Sequence, residues 1–253
     1  MEYHVIYSMG RDCASAMYLR DAGLRITSGP LDWLTNVGFE PRVDLICNGF
    51  CSFMNLEDFR KLSVIPGAFV DEKCDSYENV RTGFHHLHDF EVGVPISESF
   101  DDVKKTYDRR IARFLDYLKS DKRVLLVWLS HIPTKDDELL LTCCNRIIRQ
   151  YGNHIDFLLI EHDEELSMEE VIETKLSDNV TRISLYSKSK DEQGRYTTKG
   201  REEYIAPIFE RFSISGIAEI RRTRKIRRFI GRLLTIFVPI RKYRKIIRRA
   251  IDD

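Results

Sequence analysis

Cys13 stands where an apolar run gives way to a helical pattern, in VIYSMGRDCASAMYLRDAG, residues 5–23. A thiol on the first turn of a helix faces unpaired N–H groups and the positive end of the macrodipole, which favours thiolate over thiol. The same N–H groups suit a developing oxyanion, and Gly10 lets a substrate carbonyl approach the backbone closely. These are the needs of acyl transfer to sulfur. A free cysteine also packs well as a small buried residue, so the position needs partners to become a site. Ser8 and Asp12 flank the loop, Ser8 to tie down the turn or meet a substrate and Asp12 to cap the helix. Ser8 opens a rival reading too, because strand, hydroxyl and helix is how a serine esterase on a flavodoxin-like sheet begins.

Partners for the thiol come from HHLHDF, residues 85–90. In a regular strand His86 and His88 project from one face and His85 from the other, which provides a base and a neighbour. Asp89 then faces away from His88 and orients it only if the strand has ended. Asp32, set in a compact turn between Pro30 and Trp33, is the alternative third member. Paired histidines also suit zinc, with Asp89 or Cys74 as added ligands, but no second cluster at ligand spacing accompanies them and no metal or cofactor is expected. Cys143 and Cys144 point about 100° apart on a helix and read as helix filling. His131 and His162 each close an apolar strand and are further candidates.

The elements that must position these residues follow from hydropathy. HVIYSM (4–9), RVLLVWLSH (123–131), IDFLLIEHD (155–163) and NVTRISLYSK (179–188) are strands, three of them uninterruptedly apolar. Helices are expected from Asp12 to Ala22 with Gly23 as terminator, around LDWLTNV (31–37), over NLEDFRKL (55–62) from an Asn55 cap, from Ser99 through Lys122, and over KDDELLLTCCNRIIRQYG (135–152). GAFVDEK (67–73) and GFHHLHDF (83–90) read as short strands. Apolar strands alternating with helices predict an α/β three-layer sandwich with a mostly parallel central sheet. The predicted organisation is an α/β domain over 1–215 and a basic amphipathic helical tail over 216–253.

The blocks YSMGRDCASAMYLRDAGLRITSGPLDWL, HHLHDF and RRIARFLDYL before VLLVWL resemble a bacterial family of uncharacterised proteins described as papain-like cysteine peptidases. The resemblance spans about Tyr3 to Ile160. It implies a thiol nucleophile at Cys13 and a histidine base in the HHLHDF block, His88 being the best match. It also implies an Asn or Asp downstream of that histidine, where Asp101 and Asp102 are the nearest acids after Glu98. Papain-type folds join a helical lobe to an antiparallel barrel, whereas the pattern here predicts a parallel sheet. Ser8, Gly10, Trp33 and His86 are the substrate-binding candidates beside the catalytic set Cys13, His88, Asp32 and Asp89.

Composition bounds the rest. The 253 residues are 43% hydrophobic and 32% charged, enough for a substantial core. The opening lacks a secretory leader pattern and the six cysteines follow no paired spacing, so a cytoplasmic chain with free thiols is expected. A net charge of zero conceals segregation: residues 221–249 hold 13 Lys and Arg and no acid. Taking these and the two terminal aspartates from the totals of 40 each leaves 27 bases against 38 acids in residues 1–220. On a helical wheel Ile226, Phe229, Ile230, Leu233 and Phe237 gather on one side and Arg224, Lys225, Arg227, Arg228 and Arg232 on the other, with a kink expected at Pro239 and basic residues Arg241 and Lys242 beyond. Such a helix lies in the headgroup plane of an anionic leaflet, placing the protein at the inner face of the plasma membrane. The apolar stripe is richer than nucleic-acid binding requires. A thiol hydrolase or acyl transferase acting there on a peptide, ester or glycan-linked substrate is the leading reading. A non-catalytic membrane-associated binding module is the main alternative.

Overall fold

Alternating apolar strands and amphipathic helices produce a mixed α/β fold in the computed structural model, which describes residues 1–62, 73–187, 189–190, 196–197 and 202–234. The chain begins with β1 (Glu2–Tyr3), β2 (Val5–Ser8), α1 (Cys13–Asp21), β3 (Leu34–Thr35) and α2 (Phe39–Cys47). A 3₁₀ turn at Leu56–Asp58 leads into β4 (Phe59–Lys61), β5 (Cys74–Asn79), β6 (His85–Glu91) and the long α3 (Ile96–Leu118). Then come β7 (Val124–Ser130), α4 (Asp137–Tyr151), β8 (Ile155–His162), β9 (Val171–Lys175) and β10 (Val180–Leu185). The short β11 (Ser189–Lys190) and β12 (Tyr196–Thr197) precede α5 (Glu202–Glu210), β13 (Ser213–Ile214) and α6 (Ile217–Leu234). The described residues divide into two compact units, one up to Ser213 and one from Ile214 onward.

The first unit is built on a five-stranded sheet ordered β2-β7-β8-β10-β9. The first four strands run parallel and β9 closes the edge antiparallel to β10. Every residue of β7 is buried, so the centre of this sheet is covered on both faces, as its unbroken apolar sequence requires. A second sheet, β3-β6-β5-β4, is wholly antiparallel. The expected parallel sheet is thus present, and the antiparallel sheet beside it is the addition.

Several local expectations are corrected. LDWLTNV does not form a helix: Asp32 accepts from the Gly29 N–H at 2.9 Å to make a turn, Leu34 and Thr35 pair with β6, and Asn36 takes a positive φ of 79°. NLEDFRKL makes only the 3₁₀ turn before Phe59 enters β4, because the Asp58 carboxylate is engaged by Asn55 and Arg81 and Phe59 packs at 4.9 Å on His86. Helix α3 opens three residues before Ser99, after Pro95, whose ring presets its φ at −53°. Helix α2 escaped the sequence reading because Pro41 reads as a breaker, yet it sits in the first turn, where no intrahelical N–H bond is lost. GAFVDEK falls almost entirely outside the described residues.

Candidate active site

Local sequence builds the thiol end of the site. β2 continues past Ser8 as extended backbone, with the Met9 N–H donating to Val127 O at 2.7 Å and the Arg11 N–H to Leu129 O at 3.1 Å. This carries the chain to the C-terminal edge of the parallel sheet, the edge at which ligands gather in such folds. There Asp12 caps α1, accepting the Ala14 N–H at 2.8 Å, and Cys13 is the first helical residue. Gly10 has no space for a side chain, since a Cβ there would lie 2.4 Å from the Ser15 Cβ. The helix's own first turn fills the side-chain space at Gly10. Ser8 is buried at 2% exposure and its Oγ accepts the Gly10 N–H at 3.2 Å, so it ties down the turn and presents no hydroxyl for an esterase.

The histidine end depends on an irregularity. Tyr77 pairs with His86 and Asp75 with Phe90, so β5 uses one residue where β6 uses three. This bulge breaks the two-residue alternation that put His86 and His88 on one face. His86 is completely buried, against the substrate-binding place expected for it. His88 is turned instead to the thiol, its Nε2 3.6 Å from the Cys13 Sγ. Trp33 meets the His88 ring edge-on, with centroids 6.1 Å apart, and carries the Arg25 guanidinium 5.4 Å from its own centroid.

The bulge also redirects Asp89. Its carboxylate binds His86 Nδ1 at 2.8 Å and accepts the Tyr107 hydroxyl at 2.8 Å, forming a relay beneath the site. Burial pushes the Asp89 carboxyl up, but the bonds from His86 and Tyr107 outweigh it and hold the group below the usual carboxylate range. Asp32, the other acid considered for the third catalytic place, is 1% exposed and held by Arg25 Nε at 2.8 Å and the Gly29 N–H. The hydrogen bonds of both acids therefore serve other partners than His88. At the end of β7, His131 Nδ1 stands 3.4 Å from Asp12 Oδ2, which brings a strand-end histidine to the same edge. His162 does not join them; it is buried and its Nδ1 accepts the Ser187 N–H at 3.0 Å.

The electrostatics reverse the expectation of a thiolate at rest. Burial first, and the Asp12 carboxylate second, push the Cys13 thiol up to about 11, against a smaller lowering from its own backbone N–H. The carboxylate that caps the helix also occupies the Ala14 N–H, one of the donors that would favour the anion. Cys13 is then a thiol at rest, with His88 Nε2 3.6 Å from its sulfur. No group of metal-ligand type forms a cation site among the described residues.

The description "Putative papain-like cysteine peptidase (DUF1796)" is that of the family whose profile matches residues 4–165. The match covers more than half of the sequence, and the chain belongs to this family. An uncharacterized protein of Acanthamoeba polyphaga mimivirus is 26% identical over 170 residues, spanning 62% of this chain and 76% of the viral one. That relative is viral, so the bacterial origin attached to the resemblance finds no support. No solved structure matches the chain. Arg42 and Tyr107 were missed from sequence: each sits on a helix, and nothing in local spacing marks a buried cation or a buried phenol as the partner of a distant segment.

Proposed function

We propose that the protein is a thiol hydrolase or acyl transferase on a three-layer α/β scaffold, with Cys13 as nucleophile and His88 as general base. The observation that carries this reading is the 3.6 Å approach of His88 Nε2 to Cys13 Sγ. His88 Nε2 takes the thiol proton as sulfur attacks a carbonyl carbon, and the carbonyl electron pair moves onto oxygen near the Cys13 N–H. Collapse of the tetrahedral intermediate expels an amine or alkoxide, which receives the proton from His88. Water, or an acceptor in a transferase, then cleaves the thioester. Peptides, esters and glycan-linked acyl groups all fit this chemistry. Trp33, edge-on to His88, is a wall against which a substrate can lie.

Full-length protein treated with p-nitrophenyl acetate near neutral pH tests the proposal, read by intact mass and peptide mapping. One acetyl group is expected on Cys13, removed by neutral hydroxylamine, absent in Cys13→Ala and formed about 10²-fold or more slowly in His88→Ala. Equal acetylation of several thiols, or indifference to His88→Ala, sinks it in favour of a non-catalytic module.

The second part of the reading places the reaction at an anionic membrane surface, reached from the cytoplasm. Its support is the segregation of charge in the sequence and the character of α6. Along that helix Ile226, Phe229 and Ile230 are exposed beside exposed Arg221, Arg222, Lys225 and Arg227. The helix is named here as a surface binder only: no helix among the described residues is long and apolar enough to cross a membrane. Phe237, Arg241 and Lys242, part of the same expected surface, lie outside the described residues, and for Arg228 and Leu233 only the helical backbone is described.

A further inference from the structure

Arg42 is a cation with no exposed surface. It belongs to the buried face of α2 with Phe39, Val43 and Ile46. Its Nε donates to Val37 O at 3.2 Å, and its Nη2 donates to Leu34 O at 2.9 Å and to Arg11 O at 3.2 Å. The guanidinium carbon lies 4.9 Å from the Phe84 ring centroid and 5.8 Å from that of Trp128. Among the described residues no carboxylate forms an ion pair with it, although the charge of Asp12 favours the cation from a distance, and Nη1 has no hydrogen-bond partner. Burial pulls the group down to about 9, so it remains charged at neutral pH.

A buried, unpaired charge is costly, and a methionine would fill the same volume without that cost. What the guanidinium does that an apolar side chain cannot is join three main-chain carbonyls from two separate segments. Arg11 precedes the nucleophile by two residues and lies in the loop that leads into α1. Leu34 lies in β3, where it pairs with His86, two residues before His88 in β6. The planar fork therefore ties the segment that carries the thiol to the sheet that carries the base. The two arrive from different sheets, so no backbone ladder alone sets their separation.

The geometry points to Arg42 as a positioning residue that sets the approach of His88 to Cys13. This inference rests on the Cys13–His88 mechanism, and its test separates the two. The rate of Cys13 acetylation by p-nitrophenyl acetate is followed against pH in the full chain, in His88→Ala, in Arg42→Met and in the double variant. The parent protein should show a limb that is absent in His88→Ala, below the rise toward the thiol's own high range. Arg42→Met should lose that limb while remaining folded, and adding His88→Ala to it should slow the reaction less than twofold further. A folded Arg42→Met that keeps the limb, with His88→Ala costing its full factor on top, overturns the assignment. If Arg42→Met does not fold, Arg42→Lys decides by the same criterion, and failure of both to fold assigns Arg42 to general stability and overturns positioning. Absence of the limb in the parent protein defeats the Cys13–His88 mechanism itself, an outcome distinct from its persistence in Arg42→Met.

Discussion

Asp12→Asn isolates one cause of the raised Cys13 thiol. Asp12 accepts the Ala14 N–H on Oδ1 at 2.8 Å, stands 3.4 Å from His131 Nδ1 through Oδ2, and by its charge disfavours the neighbouring thiolate. Asparagine retains the cap and removes the charge, since Asn and Asp cap helices about equally well. With the thiol near 11, only about one molecule in 10³ carries a Cys13 thiolate at pH 8. At about 6 Å, the outer end of the range over which a neighbouring charge shifts a titration, and an effective dielectric between about 20 and 80, a unit charge opposes ionisation by about 0.7–2.8 kcal/mol. Each 1.4 kcal/mol is a factor of ten, so the thiolate fraction should rise about 3- to 100-fold, burial keeping it well short of an exposed cysteine. Iodoacetamide labelling of Cys13 at pH 8, quantified by peptide mapping in a His88→Ala background, reads this without the contribution of the base. Exposed Cys51 serves as the internal standard. Thermal unfolding should shift by no more than the equivalent of about 0.5 kcal/mol. An unchanged or slower Cys13 labelling rate, with Cys51 and stability unaltered, would refute the electrostatic account and leave burial as the sole cause.

The relay beneath the site should behave as a stability element with a defined pH window. Tyr107→Phe should cost about 1 kcal/mol and Asp89→Asn about 1–3 kcal/mol in denaturant unfolding. Because the folded Asp89 carboxyl lies below its unfolded range, its contribution is present above about pH 4 and fades as pH falls through the folded value, so the Asp89→Asn deficit should shrink only in acid. A deficit that instead disappears between pH 8 and 6 would assign the effect elsewhere. Deleting the chain after Ile220 should abolish co-sedimentation with phosphatidylserine vesicles. The full chain should bind them with a salt-sensitive part and a salt-resistant remainder from Phe229 and its apolar neighbours. Equal sedimentation of both proteins, or no binding by the full chain, refutes the membrane proposal.

The sequence by itself determined what short-range physics decides. Unbroken apolar runs read as strands covered on both faces, and β2, β7 and β8 appear where those runs lie. Asp12 could cap only the helix that follows it, and Gly23, at a φ of 72°, could end it because the missing Cβ removes the left-handed penalty. Placing Cys13 on a first helical turn needed nothing more. What lies around that thiol was decided at a distance. The bulge that turns His88 toward Cys13 and folds Asp89 under His86 arises from how β5 and β6 register, which hydropathy along β6 does not encode. The thiol's high range reflects first its burial, which exists only after packing, and second the charge of the adjacent Asp12, so a helix-terminus argument that weighed neither gave the opposite sign. Arg42 looks in sequence like one more charged helix residue. Only the tertiary structure closes carbonyls from two separate segments around its guanidinium, because main-chain acceptors have no residue-type signature to read.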